Sequence, residues 1–234
     1  YSKDSGILAG SDVFLQVMRR IDSDIECSFY HSDGERIAVD DLIAEIKGKT
    51  LSILKAERTA INILSFLSGI ATKTRAFVEA AKNSGKAVIL DTRKTLPGYR
   101  KLSKYAVKTG GGENHRMGLY DMILLKDNHI AAAGGISKAV DAVRKKWDNQ
   151  YKIEVECRNI NDVREALQNQ VDMIMLDNMG IKECIASMAL SHEGTLFEAS
   201  GNMSLEKVSR FSSIGIDYIS VGELTHSVKA FDFS

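Results

Sequence analysis

Six side chains between Asp91 and His129 set the chemistry open to this chain: Arg93, Lys94, His115, Arg116, Lys126 and His129, gathered around Gly110-Gly111-Gly112. An Arg presents a planar fork that matches a carboxylate or phosphate, whereas a Lys presents a point charge. Glycines let backbone N–H groups approach a ligand closely. The whole chain carries 31 basic and 31 acidic residues, so the cluster is local and not a result of basic composition. A multiply charged anion is the ligand that such a cluster suits.

The acids form a second group. Glu154 and Glu156 alternate along one apolar run and share a face, and Asp177 closes the next run ahead of Asn178. Same-face acids in such a run point to cations, sugar hydroxyls or a metal. Lys126 ends another apolar run and needs an anion, either one of these acids or a substrate. Asp127-Asn128-His129 reads as a cap for the turn that follows. Later, Glu198-Ala-Ser-Gly-Asn202 leads into a helical pattern at Ser204, and Gly222 follows Val221. Ser200, Gly201, Asn202 and Gly222 are placed to hold a phosphate by backbone amides and a helix N-terminus. Together the residues suit a phosphorylated sugar diphosphate meeting a carboxylated acceptor.

The elements that position them alternate from about residue 85 onward. Apolar runs at Ala87–Leu90, Met122–Leu125, Ile153–Val155, Met173–Leu176, Thr195–Phe197 and Tyr218–Val221 predict strands. Helical patterns lie between them, for example Ser137–Trp147, Asn161–Asn169 and Ser204–Ser212. Short buried strands separated by helices imply a parallel sheet, either a barrel or an open doubly wound sheet. The runs end on Asp91, Lys126, Glu156, Asp177 and Ser200, with Gly222 after the last, where α/β barrels carry their active sites. The first 55 residues differ. Ser11–Ile21 reads as a helix, while Ile25–Tyr30, Glu35–Val39 and Asp41–Lys47 read as strands around a Ser32-Asp33-Gly34 turn. The helical stretch Ala56–Asn83 is expected to break at Gly69 into two helices or one interrupted helix.

The totals exclude several classes. A chain of 234 residues with 44% hydrophobic content can bury a core, and net charge near zero argues against a nucleic-acid binder. No apolar run approaches the roughly 20 residues that span a bilayer. Tyr1-Ser-Lys-Asp-Ser-Gly6 has no apolar core of a signal peptide. Cys27, Cys157 and Cys184 are far apart without metal-ligand spacing, which reads as reduced thiols in the cytoplasm.

Asp91-Thr-Arg-Lys-Thr-Leu-Pro-Gly98, Gly110-Gly-Gly-Glu-Asn-His-Arg-Met-Gly-Leu119, Leu125-Lys-Asp-Asn-His129, Glu154-Val-Glu156, Leu176-Asp-Asn178 and Glu198-Ala-Ser-Gly201 resemble the carboxylating nicotinate-nucleotide pyrophosphorylases, or quinolinate phosphoribosyltransferases. The match in order and spacing runs from about Gly6 to the C-terminus. The resemblance implies an α/β fold with a small N-terminal α/β sandwich domain, residues 1–69, lacking an upstream segment. An incomplete TIM-like α/β barrel, 70–225, and a tail, 226–234, returning to the first domain would follow.

It implies a pentosyltransferase that converts quinolinate and phosphoribosyl pyrophosphate to nicotinate mononucleotide, pyrophosphate and CO₂, with Mg²⁺. It also implies a homodimer with shared active sites, open to higher assembly. By motif, Arg93, His115, Arg116 and Lys126 resemble the quinolinate-carboxylate binders, and Arg58 of Ala56-Glu-Arg-Thr59 the arginine delivered from the partner. Lys94 resembles the residue that meets phosphoribosyl pyrophosphate, and Glu156 and Asp177 the ribose and Mg²⁺ acids, the metal held directly or indirectly. Lys94, Lys126, Glu156 and Asp177 are the catalytic candidates, and Ser200, Gly201, Asn202 and Gly222 resemble the 5′-phosphate cradle. Asn202 stands where many relatives have a second Gly. A nicotinate phosphoribosyltransferase-like or molybdenum-transport-associated homologue with a different acceptor is the alternative. The cluster of cations favours a dicarboxylate, and hence quinolinate.

Overall fold

The computed structural model describes residues 1–190 and 194–234, and the chain divides into two compact units that interleave in sequence. One unit comprises Tyr1–Val78, Lys94–Glu113 and Glu223–Ser234, the other Glu79–Arg93 and Asn114–Gly222.

In the first unit, strands β1 (Gly6–Ile7), β2 (Glu26–Phe29), β3 (Arg36–Ile37) and β4 (Ala44–Lys47) form two antiparallel pairs, β1 with β3 and β2 with β4. The Ser32-Asp33-Gly34 turn therefore joins strands that pair elsewhere. The Asp33 carboxylate accepts from the N–H groups of Gly10 and Ser11 at 2.6 and 3.1 Å, which anchors the start of helix Ser11–Ile21. That helix buries Phe14 and Met18 against Leu8, Ile25, Ile37, Ile43 and Phe231. Ala56, Ala60 and Leu64, at helical spacing on helix Thr50–Lys82, complete this core. Each large apolar side chain so buried contributes roughly 1.5–3 kcal/mol.

Helix Thr50–Lys82 runs 33 residues without a break, contrary to the interruption expected at Gly69. Glycine serves close packing there. A Cβ on Gly69 would stand 2.3 Å from the Lys229 carbonyl oxygen, and the Phe231 N–H donates to the Ser65 carbonyl at 2.9 Å. A helix propensity penalty of about 1 kcal/mol is accepted for that approach.

The second unit holds β5 (Val88–Leu90), β6 (Ile123–Leu125), β7 (Ile153–Cys157), β8 (Met173–Asp177), β9 (Leu196–Ser200) and β10 (Tyr218–Ser220). Every paired neighbour is parallel, in the order β5-β10-β9-β8-β7-β6. A doubly wound sheet reverses its winding at a switch point. Here successive strands from β6 to β10 are neighbours and β5 returns beside β10, which is barrel winding. Among the described residues β5 and β6 do not pair, so the barrel is incomplete at that seam.

Register fixes what faces the interior. Leu124 aligns with Glu154 and Met173, Glu156 with Met175 and Glu198, and Asp177 with Ser200. Because aligned residues of parallel strands share a face, Glu154, Glu156, Asp177, Glu198 and Ser200 point the same way. Val155, Cys157, Ile174, Leu176, Phe197 and Ala199 fill the opposite face and are buried. Strand β9 extends beyond the expected Thr195–Phe197 because Glu198 continues the ladder instead of ending it. Asn159 and Ser204 accept from backbone N–H groups to start helices Ile160–Gln168 and Leu205–Ser213.

Candidate active site

Lys126 follows β6 directly and begins the short helix Asp127–Ala133. Its backbone N–H donates to His129 Nδ1 at 3.0 Å, so His129 is the cap its sequence position foretold. The Lys126 ammonium contacts the Glu156 carboxylate from the neighbouring strand. This pair lies at the solvent boundary, with the Lys126 side chain 43% exposed and that of Glu156 10% exposed. A cation and an acid so placed can exchange each other for a bound ligand.

Beside them, Asp177 ends β8 and accepts from its neighbour Asn178 at 3.2 Å. Asn178 is left-handed, φ 54°, and its N–H donates to the Ser200 carbonyl at 3.0 Å. Gly201 has φ 111°, and a Cβ there would stand 2.2 Å from Asn178 Oδ1, so only glycine fits this turn. Asn202 has φ 42°. The backbone at that position is thus the one glycine favours, and Asn is among the side chains that tolerate it. The Asn202 carbonyl accepts from Lys207 Nζ at 3.1 Å, and the Ser204 cap then opens the nine-residue helix Leu205–Ser213.

The His115–Arg116 segment crosses the seam between the unpaired edges. The His115 N–H donates to Asp91 Oδ1 at 3.0 Å, and Asp91 immediately follows β5 and is fully buried. Arg116 Nη1 donates at 3.2 Å to the carbonyl of Met122, the residue before β6. The imidazole turns inward, its side chain only 7% exposed. His115 Nε2 lies 3.1 Å from Glu154 Oε2 and 3.3 Å from Glu198 Oε2, and Nδ1 accepts from the Arg116 N–H at 2.7 Å.

Burial lowers the proton affinity of this ring and the charges of Glu154 and Glu198 raise it, but a second proton would have to sit on Nδ1, which the Arg116 N–H already occupies. The Arg116 N–H aimed at Nδ1 works against a second proton. The ring therefore carries a single proton, on Nε2, on the side that faces the acids. Glu154 itself is raised to about 7 by burial first, then by the charge of Glu198, with His115 opposing. The Arg116 guanidinium is lowered, by burial and then by the nearby charge of Arg93.

The barrel unit thus contains Arg93, His115, Arg116, Lys126, Glu156, Asp177, Ser200, Gly201, Asn202 and Gly222, in the last two residues of a strand, in the loop after one, or across the seam. Arg58 and Lys94 belong to the other unit. Arg58 is exposed, one helical turn beyond exposed Leu54 and two beyond Leu51. The carbonyl of Lys94 accepts from Thr225 Oγ1 at 2.7 Å.

The glycine run does not serve as a bed of ligand-binding amides. The N–H groups of Gly110, Gly111 and Gly112 donate to the carbonyls of Ala106, Lys108 and Val107, closing helix Arg100–Thr109. A Cβ on Gly110 would stand 2.5 Å from the Ala71 carbonyl oxygen, so the residue is glycine for packing. Sequence reasoning also passed over Glu198 and the separate environment of Glu154. Each stands two residues before a rim residue on the same face, Glu156 or Ser200, and that spacing was the available signal.

Comparison with known proteins places the arrangement. Residues 1–68 match the family "Quinolinate phosphoribosyl transferase, N-terminal domain", and residues 70–234 its C-terminal domain. The probable nicotinate-nucleotide pyrophosphorylase (carboxylating) of Bacillus subtilis is 40% identical over 233 residues, covering 100% of this chain and 80% of that protein. Among solved structures, NadC from Streptococcus pyogenes superposes with a TM-score of 0.96 at 42% identity, covering 100% of this chain and 82% of that one. The nicotinate-nucleotide pyrophosphorylase of Francisella tularensis gives a TM-score of 0.96 at 39% identity, covering 100% and 82%.

Proposed function

The chain belongs to the quinolinate phosphoribosyl transferase family, and from that premise we infer its reaction. It transfers the phosphoribosyl group of phosphoribosyl pyrophosphate to quinolinate with loss of CO₂, giving nicotinate mononucleotide and pyrophosphate for NAD biosynthesis. The observation that carries the chemistry is the grouping in one barrel unit of Arg93, Arg116 and Lys126 with Glu156, Asp177 and the Ser200–Asn202 turn. A reaction between two anions needs cations to bring them together, and acids where positive charge develops.

Arg93, Arg116 and Lys126 hold the two acceptor carboxylates and so aim the ring nitrogen at the sugar carbon. Support for Lys126 comes from its exchangeable partner Glu156. Breaking the bond to pyrophosphate builds positive charge on the ribose ring, which Glu156 and Asp177 stabilise, while Lys94 steadies the departing pyrophosphate. The 5′-phosphate lies on the Ser200-Gly201-Asn202 turn, with Gly222 nearby in the next strand-to-helix loop, at the N-terminus of helix Leu205–Ser213. Loss of CO₂ then leaves an electron pair on the ring carbon, which the adjacent quaternised nitrogen stabilises until that carbon takes a proton from solvent.

Glu156 and Asp177 offer hard carboxylate oxygens near the solvent boundary, the donor type that Mg²⁺ takes together with substrate oxygens. Held there, Mg²⁺ would supply charge neutralisation for the leaving pyrophosphate. The active form is a homodimer in which Arg58 reaches the neighbouring subunit's site. Exposed Leu51 and Leu54 beside Arg58 support this, since paired apolar side chains on one helix face suit an interface. No described helix is long and apolar enough to cross a membrane, and Cys27, Cys157 and Cys184 are free thiols, which is consistent with a cytoplasmic setting.

Carboxyl-labelled quinolinate tests the reaction. Labelled CO₂ and nicotinate mononucleotide form in equal amounts, and only with phosphoribosyl pyrophosphate and Mg²⁺ present. Mononucleotide from nicotinate instead, without CO₂, would overturn the assignment.

A further inference from the structure

Two carboxylates stand outside the mechanism above. Glu154 and Glu198 are 0% exposed, one on β7 and one on β9, and both reach the same imidazole nitrogen. Burying an ionised carboxylate costs several kcal/mol unless a partner compensates. The partner here is His115.

Imidazole and carboxylate atoms lying within 4.8 Å of one another are also the donor set of a divalent transition metal. The ring's protons decide between the two uses. Nδ1 accepts the Arg116 N–H at 2.7 Å, so the ring's own proton is on Nε2, facing the acids. A protonated Nε2 has no lone pair to give a metal.

The same hydrogen bond links the ring to the next residue. Arg116 is 9% exposed, and its guanidinium is tied to the Met122 carbonyl at 3.2 Å. Its position across the seam between β5 and β6 depends on the Asp91 anchor at His115 N–H, the Met122 contact and the grip on the ring. Ladder hydrogen bonds do not hold the seam closed, because β5 and β6 do not pair among the described residues.

We propose that Glu154 and Glu198 are positioning residues for the acceptor: their buried charge draws in the Nε2 side of the His115 ring, and the ring, through Nδ1, fixes the Arg116 backbone where an acceptor carboxylate binds. His115 then acts through Arg116 instead of donating to the substrate itself. The proposal rests on Arg116 as an acceptor-binding residue in the reaction inferred above.

The test has two arms. In the full chain labelled with ¹⁵N-histidine and without substrates, His115 shows a proton on Nε2, and adding Zn²⁺ leaves that signal in place. A deprotonated Nε2, or stoichiometric Zn²⁺ uptake that abolishes the signal, would make the cluster a metal site and overturn the grip. In the second arm, Glu198→Gln and Glu154→Gln each raise the KM for quinolinate on the order of ten- to a hundredfold, the size of removing a charged partner from a buried polar group. The KM for phosphoribosyl pyrophosphate and the melting temperature stay unchanged. A parallel rise in both KM values with a lowered melting temperature would reduce the acids to a general structural role. If the wild type makes no mononucleotide, the reaction assignment has failed, and the histidine spectrum still judges the grip.

Discussion

The acids of the barrel interior fall into two pairs that share one face yet do different work. Glu156 and Asp177 stand near the solvent boundary, and Glu156 has a lysine partner that a ligand can displace. Glu154 and Glu198 lie two residues short of the rim on their strands, closed from solvent, with one imidazole nitrogen 3.1 and 3.3 Å from them. Two residues along a strand is about 7 Å. Over that distance a carboxylate passes from an environment where it can change partners to one where losing its partner leaves a buried charge. The outer pair is therefore suited to chemistry and the inner pair to holding geometry.

Breaking the outer pair has the largest expected effect. Asp177→Asn and Glu156→Gln remove charge opposite the developing cation, and kcat falls by about 10²–10³-fold, the scale of one lost electrostatic stabiliser. The melting temperature changes little, because both groups are near the surface; an unchanged kcat with only a raised KM for quinolinate would erase the distinction between the pairs.

Arg58 sharpens the comparison from outside the barrel unit. Arg58→Ala and Lys126→Ala are each expected to inactivate the protein, and mixing them restores about a quarter of wild-type activity. That fraction follows because random pairing makes half the dimers mixed, each with one intact site. No recovery in verified mixed dimers would return Arg58 to its own subunit.

The smallest effect belongs to the phosphate turn. Asn202→Val places a β-branched residue at φ 42° and costs about 1–3 kcal/mol in denaturant stability, whereas Asn202→Gly leaves stability near wild type. Equal stability of both variants would mean that the left-handed backbone imposes no selection there.

How much of this was legible varied with the kind of residue. Lys126 and Asp177 were readable because a charged residue ending an apolar run marks a strand end, and barrel strands end at the site. His129 was readable as part of the Asp127-Asn128-His129 cap. Glu198 was not, because an acid in the middle of β9 looks like the end of a strand until register shows the ladder continuing through it. Glu154 and Glu156 looked equivalent, since alternation gives a face but not a depth. Glycine was the most ambiguous letter. Gly69 and Gly110 carry the same signal as Gly201, yet two of them admit a neighbouring carbonyl and one permits a left-handed turn. Only the folded chain distinguishes close packing from freedom at φ.

Calorimetric titration of quinolinate into Glu156→Gln and Glu198→Gln, without phosphoribosyl pyrophosphate, tests the division of labour most directly. Glu156→Gln releases Lys126 from its partner, so quinolinate binds as tightly as to wild type or more tightly. Glu198→Gln loosens the grip behind Arg116, so binding weakens. Weakening of the same size in both variants, or no change in Glu198→Gln, would contradict the assignment of the outer pair to chemistry and the inner pair to position.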